Sequence, residues 1–378
     1  MSKRLKVMTI LGTRPEVIRL ARVMALLDQE TDHVLVHTGQ NSDYELNDVF
    51  FHDLNVKPPK HFLGISRASL GQILGQILIK TEQVIVEEKP DAVVILGDTN
   101  SAYGAIIARR MKIPVYHMEA GNRCFDLNVP EEINRRIVDH VSDFNLVYTE
   151  HARRNLLAEG IHPRRIYLTG SPMREVLDYA RPSIDASDVL QRLKLTSGNY
   201  FVVSLHRAEN VDIPRRLRIL VDALNRLCLE YELPVIVTTH PRTRDKLDKL
   251  GQFDLNPNVQ FLKPFGFHDY VHLQMHSRCT LSDSGTISEE AAILGFPAVT
   301  VRNAIERPEA MDSGHIILTG LDPDVILNAV RMAVSHKAVT FEHPIPVEYC
   351  VSNTSFRVVK LIIGTAKLVH LWDGVVVA

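Results

Sequence analysis

The stretch Asp91–Leu96 constrains the fold of this chain more than any other. It is apolar at both alternating sets of positions, so a strand here must be covered on both faces. That is the setting of a central strand in a parallel sheet, with helices packed above and below. The run stops at Gly97-Asp98-Thr99-Asn100-Ser101, which puts a carboxylate at the strand's C-terminal end. In open parallel sheets that edge is where ligands bind.

The same pattern recurs around it. Leu5–Leu11 is β-prone and ends at Gly12-Thr13-Arg14-Pro15-Glu16, and a helical pattern follows over Val17–Leu27. Thr13 with Glu16 predicts a T-x-x-E capping box with Pro15 in the first turn. A strand, a glycine turn and a capped helix form an anion site, and Arg14 stands where it can add charge. His33–Val36 reads as a strand ending at His37-Thr38-Gly39-Gln40, and residues 68–88 read as a helix. Ile113–Tyr116 is a buried strand that delivers Glu119, after which Gly121 lets the chain turn sharply. Pro130 fits the first turn of the next helix, and Glu131 and Glu132 suit its positive end. Glu132 and Arg136 stand four apart and can simply pair. Phe144–Tyr148 and Arg165–Leu168 complete the first series. No strand is followed by G-x-G-x-x-G, so there is no dinucleotide fingerprint.

Gly170-Ser171-Pro172 reads as a hinge, after which the alternation restarts. Tyr200–Leu205 ends at His206-Arg207-Ala208-Glu209-Asn210, and Pro234–Thr239 ends at His240-Pro241-Arg242. Val259–Leu262 follows. Cys279–Ser282 leads into Asp283-Ser284-Gly285-Thr286, where Thr286 and Glu289 predict a second capping box. Pro297–Val301 precedes Arg302–Glu309, and His315–Thr319 is the last strand. Residues 352–371 are amphipathic and helical. The prediction is therefore an α/β chain of two doubly wound, Rossmann-like domains facing a cleft. Their expected limits are 1–171 and 172–356, with 357–378 as a helix packing back on the first. Two capped helix ends facing each other can hold a diphosphate, with Arg14, His206 and Arg207 supplying charge.

A chain of 378 residues is long enough for two cores. A formal net charge of −2 argues against a general nucleic-acid binder. Cys124, Cys228, Cys279 and Cys350 are scattered, which fits free thiols and not a disulfide framework or a zinc site. The N-terminus runs straight into a strand, and no apolar run is long enough to span a bilayer. A cytoplasmic protein that engages no membrane is expected.

Seven motifs together carry a resemblance. They are Gly12-Thr13-Arg14-Pro15-Glu16, Gly97-Asp98-Thr99, Met118-Glu119-Ala120-Gly121, Pro130-Glu131-Glu132-x-Asn134-Arg135, His206-Arg207-x-Glu209-Asn210, Asp283-Ser284-Gly285 and Glu306-Arg307-Pro308-Glu309. In this order, over nearly the whole chain, they resemble the non-hydrolysing UDP-N-acetylglucosamine 2-epimerase family. The resemblance implies the glycosyltransferase-B fold, a homodimer, and chemistry that needs neither nicotinamide nor metal. It implies that Asp98, Glu119, Glu131 and His206 are catalytic. It assigns Arg14, Arg135, Ser284, Gly285 and Glu290 to the nucleotide, with Ser284 and Gly285 on phosphate and Glu290 on ribose. Tyr270 falls where the family has an aromatic near the uracil. Arg19, Arg123, Arg207, Glu209, Thr286 and Arg307 are further candidate contacts to the UDP-sugar.

The departures narrow the match. Arg19 replaces the family's usual Lys, Gly285-Thr286-Ile287-Ser288 replaces Gly-Gly-Ile-Gln, and Gly39-Gln40-Asn41 replaces Gly-Gln-His. Asn122–Asp126 and the hinge Gly170–Met173 also differ. These variants resemble one branch, the UDP-N-acetyl-L-fucosamine synthases of capsule and O-antigen pathways. The C2 hydrogen of a nucleotide sugar is not next to a carbonyl, so an epimerase must oxidise a neighbouring carbon or expel the C1 diphosphate to a glycal. Without a dinucleotide fingerprint, expulsion is expected; it needs a base and an acid at C2 and cations on the departing UDP. UDP-GlcNAc/UDP-ManNAc epimerisation is the alternative within the family. A glycosyltransferase of the same fold is the rival class. It would also grip UDP, but would not need three acids on its first domain.

Overall fold

The computed structural model describes residues 4–39, 50–65, 69–250, 254–336 and 344–374. The expected Gln40-Asn41 variation lies outside them. The chain divides into two compact units, Met1–Tyr179 with Cys350–Ala378, and Ala180–Tyr349.

Among the described residues, the first unit holds seven strands: β1 (Lys6–Leu11), β2 (Asp32–His37), β3 (His61–Phe62), β4 (Ala92–Leu96), β5 (Val115–Met118), β6 (Phe144–Val147) and β7 (Ile166–Leu168). They pair in the order β3-β2-β1-β4-β5-β6-β7, and every pairing is parallel. The second unit holds β8 (Phe201–Ser204), β9 (Val235–Thr238), β10 (Val259–Leu262), β11 (Cys279–Ser282), β12 (Ala298–Thr300) and β13 (Ile317–Leu318). Their order is β10-β9-β8-β11-β12-β13. Each sheet is doubly wound, and its strand order reverses between β1 and β4 or between β8 and β11. Those switch points are where such folds bind ligands.

The helices that matter are α1 (Arg14–Glu30), α2 (Leu70–Glu88), α3 (Gly104–Arg110), α4 (Pro130–Val141), α5 (Glu150–Ala158), α6 (Met173–Asp185), α7 (Pro214–Tyr231), α8 (Phe267–His276), α9 (Ile287–Leu294) and α10 (Thr354–Thr365). Every residue of β4 is buried. Val93 and Ile95 pack with Ile10, Val36, Ile77 and Ala105. The second core sets Phe201, Val203 and Leu281 against Leu217, Leu220 and Leu224 of α7. Full burial of one such side chain contributes about 1.5–3 kcal/mol, which is why the strands read so clearly.

The division falls later than 171/172, and the return earlier than 356/357, for a visible reason. Glu175 of α6 accepts the Ser355 backbone N–H at 2.8 Å and its hydroxyl at 2.9 Å. Thr354 donates to the carbonyls of Thr169 and Ser171. The last helical stretch is broken: α10 ends at Thr365, and a short helix resumes at Val369–Asp373. α10 packs on α1. The two-residue edge strand β3 carried no sequence signal. Among the described residues, no helix is long and apolar enough to cross a membrane.

Candidate active site

In the first unit, β4 and β5 end side by side, with Leu96 opposite Met118. The acids follow: Glu119 comes directly after Met118, and Asp98 after Gly97. Glu119 is buried and adopts a left-handed backbone, φ 64°. Gly121, at φ 79°, completes the turn; a Cβ there would lie 2.4 Å from the Ala152 carbonyl oxygen of α5, so no other residue fits without moving the helix. Arg19 of α1 ion-pairs with Glu119. Arg135 of α4 ion-pairs with Asp98 and reaches within 3.8 Å of the other Glu119 oxygen. Asn134 donates to the Asp98 carbonyl at 2.9 Å. Its own amide oxygen accepts from the Tyr103 hydroxyl at 2.9 Å. One turn of α4 thus fixes both the carboxylate and the backbone of Asp98.

The second unit's edge is built differently. Asp283 follows β11 and is fully buried. It accepts the backbone N–H groups of His206 and Arg207 at 3.0 Å each and the Asn210 side-chain amide at 3.0 Å. The His206 Nδ1 lies 3.1 Å from it. Burial alone would raise this carboxyl, but the charge and hydrogen bonds from His206 outweigh it and hold it below its ordinary value. Arg207 donates to the Asp283 carbonyl at 3.0 Å and lies 3.6 Å from Glu306. Gly285 sits beneath two guanidinium groups: a Cβ there would be 2.5 Å from Arg307 Nη1 and 3.7 Å from Arg207 Nη2. Two cations over a side-chain-free backbone beside a helix start can receive an anion.

A family model described as UDP-N-acetylglucosamine 2-epimerase matches residues 25–363. The chain belongs to that family. A solved structure of UDP-N-acetylglucosamine 2-epimerase from Rickettsia bellii superposes with a TM-score of 0.90 at 43% identity, covering 98% of this chain and 100% of that one. The Methanocaldococcus jannaschii UDP-GlcNAc 2-epimerase, solved in complex with UDP-GlcNAc and UDP, gives 0.89 at 35% identity over 95% and 99%. A Pseudomonas aeruginosa UDP-2,3-diacetamido-2,3-dideoxy-D-glucuronate 2-epimerase is 36% identical over 87% of this chain and 92% of its own. The protein is a non-hydrolysing UDP-sugar 2-epimerase with the two-domain α/β architecture of its relatives.

In this epimerase the anticipated residues sort into three groups. Asp98, Glu119, Arg19 and Arg135 meet in one cluster, which makes Arg135 a partner of the acids. Glu131 stands half-buried on the first turn of α4, without a hydrogen bond or ion pair among the described residues. Arg14 opens α1, its guanidinium 5.5 Å from the Phe50 ring centre. His206, Arg207, Glu209, Ser284, Gly285, Thr286, Glu290 and Arg307 lie in the second unit, most of them around Asp283. Ser284 and Thr286 hydroxyls are 2.9 Å apart. Glu290 accepts from Gln274 at 2.9 Å. Tyr270 is half-buried on α8, and burial pushes its hydroxyl above the ordinary tyrosine range, with the charge of Glu290 adding to it.

Some expectations need correction. Arg123 is buried and fully engaged inside the first unit, donating to Glu159 at 2.8 and 2.7 Å and lying 2.7 Å from Asp139. It ties α4 to α5, and its location does not support a sugar contact. Neither capping box forms. Thr286 makes no side-chain cap bond, its hydroxyl lying 2.9 Å from the Ser284 hydroxyl, and Glu289 lies 3.1 Å from Arg307. At α1 the Thr13 hydroxyl donates to Glu16 instead of capping the helix, and Glu16 also accepts from the Gly12 N–H and the Thr99 hydroxyl. Burial pushes the Glu16 carboxyl up to about 7. The pair Glu132–Arg136 does form, at 2.9 Å, but Glu132 is fully buried and also accepts the Cys124 N–H. Sequence reasoning did not single out His117, Asp139 or Gln274. Asn134 and Asp283 stood inside quoted motifs without a role; their signal was a polar residue one step beyond a buried strand or beside an arginine.

Proposed function

We propose that this epimerase inverts C2 of a UDP-2-acetamido sugar through a glycal, and that its product is UDP-N-acetyl-L-fucosamine for capsule or O-antigen synthesis. The C2 proton passes to an enzyme base while the C1–O bond breaks and its electron pair leaves with UDP. UDP then adds back to C1 as C2 takes a proton on the opposite face. The observation that carries this reading is the pair Asp98 and Glu119, held within reach of one guanidinium, Arg135, at the sheet edge. Two carboxyl groups so arranged supply the base and the acid. Glu131 acts with them on the first unit, and His206 is the candidate catalytic group of the second. Arg14, Arg207, Arg307, Ser284, Gly285 and Thr286 take the diphosphate, Glu290 the ribose and Tyr270 the uracil side. Arg19 and Thr286, where the family commonly has Lys and Gly, support a sugar other than UDP-GlcNAc. The family accommodates such variation, since the Pseudomonas aeruginosa relative is named for a diacetamido glucuronate.

A second reading is epimerisation of UDP-GlcNAc, favoured by the names of the Rickettsia and Methanocaldococcus structures. The family likeness also supports a homodimer in the cytoplasm; sedimentation of the purified protein checks the dimer. One experiment tests reaction and substrate together. UDP-2-acetamido-2,6-dideoxy-L-talose and UDP-GlcNAc are offered in competition in D₂O and followed by NMR. The proposal expects deuterium at C2 of the product and consumption of the deoxy sugar first. Protium at C2 removes the glycal route, and efficient UDP-ManNAc formation with the deoxy sugar untouched assigns the parent activity.

A further inference from the structure

Both acids of the first unit leave their strands on left-handed turns: Gly97, at φ 69°, precedes Asp98, and Glu119 itself lies at φ 64°. A non-glycine residue in that region persists only where its surroundings over-determine it. The surroundings here are His117 and Asp139, both fully buried. His117 is the third residue of β5, and its Nε2 lies 2.8 Å from the Gly97 carbonyl oxygen. A carbonyl only accepts, so Nε2 donates. On the other side of the ring, Nδ1 lies 2.9 Å from Asp139 Oδ1, a close polar contact outside hydrogen-bond geometry. Asp139, from α4, accepts the Gly121 backbone N–H at 3.2 Å through both oxygens. Arg123 Nη1, 2.7 Å away, balances its charge.

A continuous line of contacts therefore starts one residue before Asp98. It crosses the imidazole and the Asp139 carboxylate and ends two residues after Glu119. Neither His117 nor Asp139 has surface to offer a substrate. We propose that His117 and Asp139 are positioning residues, a clamp that sets the spacing of the Asp98 turn against the Glu119 turn. This rests on the reading that those two acids do the chemistry.

The test compares His117→Ala, His117→Gln and Asp139→Asn with Asp98→Asn and the unaltered enzyme, recording kcat, KM and the Kd for UDP. Gln keeps an N–H that can reach Gly97; Asn keeps an acceptor for Gly121. Misplacement of catalytic groups by a fraction of an ångström predicts a fall in kcat of at least about tenfold for His117→Ala. KM and UDP affinity should stay within about threefold, and His117→Gln should recover most of the loss. A core-filling role predicts a lower melting temperature with kcat unchanged in the folded fraction, and that result overturns the proposal. Should His117→Ala not fold, His117→Phe, which fills the space but has no N–H for the Gly97 carbonyl, takes its place, and a normal kcat in that variant overturns the proposal equally. In the unaltered enzyme, ¹⁵N-histidine NMR should show a slowly exchanging His117 Nε2–H; its absence also sinks the clamp. Normal turnover by Asp98→Asn would fault the site reading instead. An inactive Asp98→Asn beside normal His117 variants would fault the clamp alone.

Discussion

The two sheet edges have the same topology and differ in how their arginines are arranged. At the first, each arginine answers a carboxylate: Arg19 meets Glu119, and Arg135 meets Asp98, and both arginines are buried. At the second, the acids lie beneath and behind, so that Arg207 and Arg307 converge over the bare backbone of Gly285. A paired edge holds carboxylates at fixed positions, which suits proton transfer. An edge with cations above backbone N–H groups suits a diphosphate. On the proposed roles, the same doubly wound scaffold would separate chemistry from grip by where it puts the counter-charges, and the two edges should fail in different ways.

The largest effect is expected at the first edge. Asp98→Asn and Glu119→Gln should each lower kcat by about a hundredfold or more, the scale of a lost acid or base. The affinity for UDP, measured by calorimetry, should move by less than about threefold. Equal losses in kcat and UDP affinity would erase the distinction between the edges.

The second edge should show the converse. Gly285→Ala places a Cβ 2.5 Å from Arg307 Nη1, so the guanidinium must withdraw from its place over the backbone. UDP binding should weaken by about tenfold, equivalent to about 1.4 kcal/mol, while kcat at saturating sugar changes little. Arg307 is also 3.1 Å from Glu289, so some of its displacement can be absorbed, which is why a larger effect is not expected. Unchanged UDP affinity in this variant would remove Gly285 from the phosphate site.

Much of this was legible in the chain, and the pattern of success is physical. A strand such as Ala92–Leu96 is announced by its continuous apolar run, because burial on both faces permits little else. The acids were legible because a polar residue directly after such a run must stand at the sheet edge. Partnerships were not. Arg135 and Arg123 look alike as cations on one connection, yet one faces Asp98 and the other is engaged by Asp139 and Glu159. Which acid an arginine meets depends on the packing of α4 against β4 and α5, and that packing joins residues distant in sequence. The capping boxes failed for a related reason. The local T-x-x-E pattern specifies what Glu16 and Glu289 can reach, but Thr99 and Arg307 arrive from elsewhere and change the partners.

The last comparison is read in stability, not in turnover or UDP binding, and concerns the buried acids themselves. Glu16 is enclosed by neutral donors, the Gly12 N–H and the hydroxyls of Thr13 and Thr99. Burial raises its carboxyl from 4.5 to about 7. Asp283 at the second edge is equally buried but has His206 beside it, and is held below its ordinary value. The signs for stability are therefore opposite. Below pH of about 4.5 Glu16 carries its proton in both folded and unfolded chains and costs nothing. As pH rises toward 7 the unfolded chain releases that proton while the folded chain keeps it, so unfolding becomes easier; the full loss, above the folded value, is on the order of 3 kcal/mol. Asp283 contributes stability above its unfolded value and loses it on acidification. His37, lowered by burial from 6.5 to about 4, costs nothing at neutral pH and weakens the folded state as pH falls through 6.5. Only a difference between variants isolates Glu16. Denaturant unfolding of the enzyme and of Glu16→Gln at a series of pH values should show the variant gaining on the unaltered protein between about pH 4.5 and 7, then running parallel. The companion Asp283→Asn should instead lose ground as pH rises through the ordinary carboxylate range. Parallel curves for Glu16→Gln throughout would mean that Thr99 and Thr13 keep the carboxylate charged, and that the first edge holds a third anion beside Asp98 and Glu119.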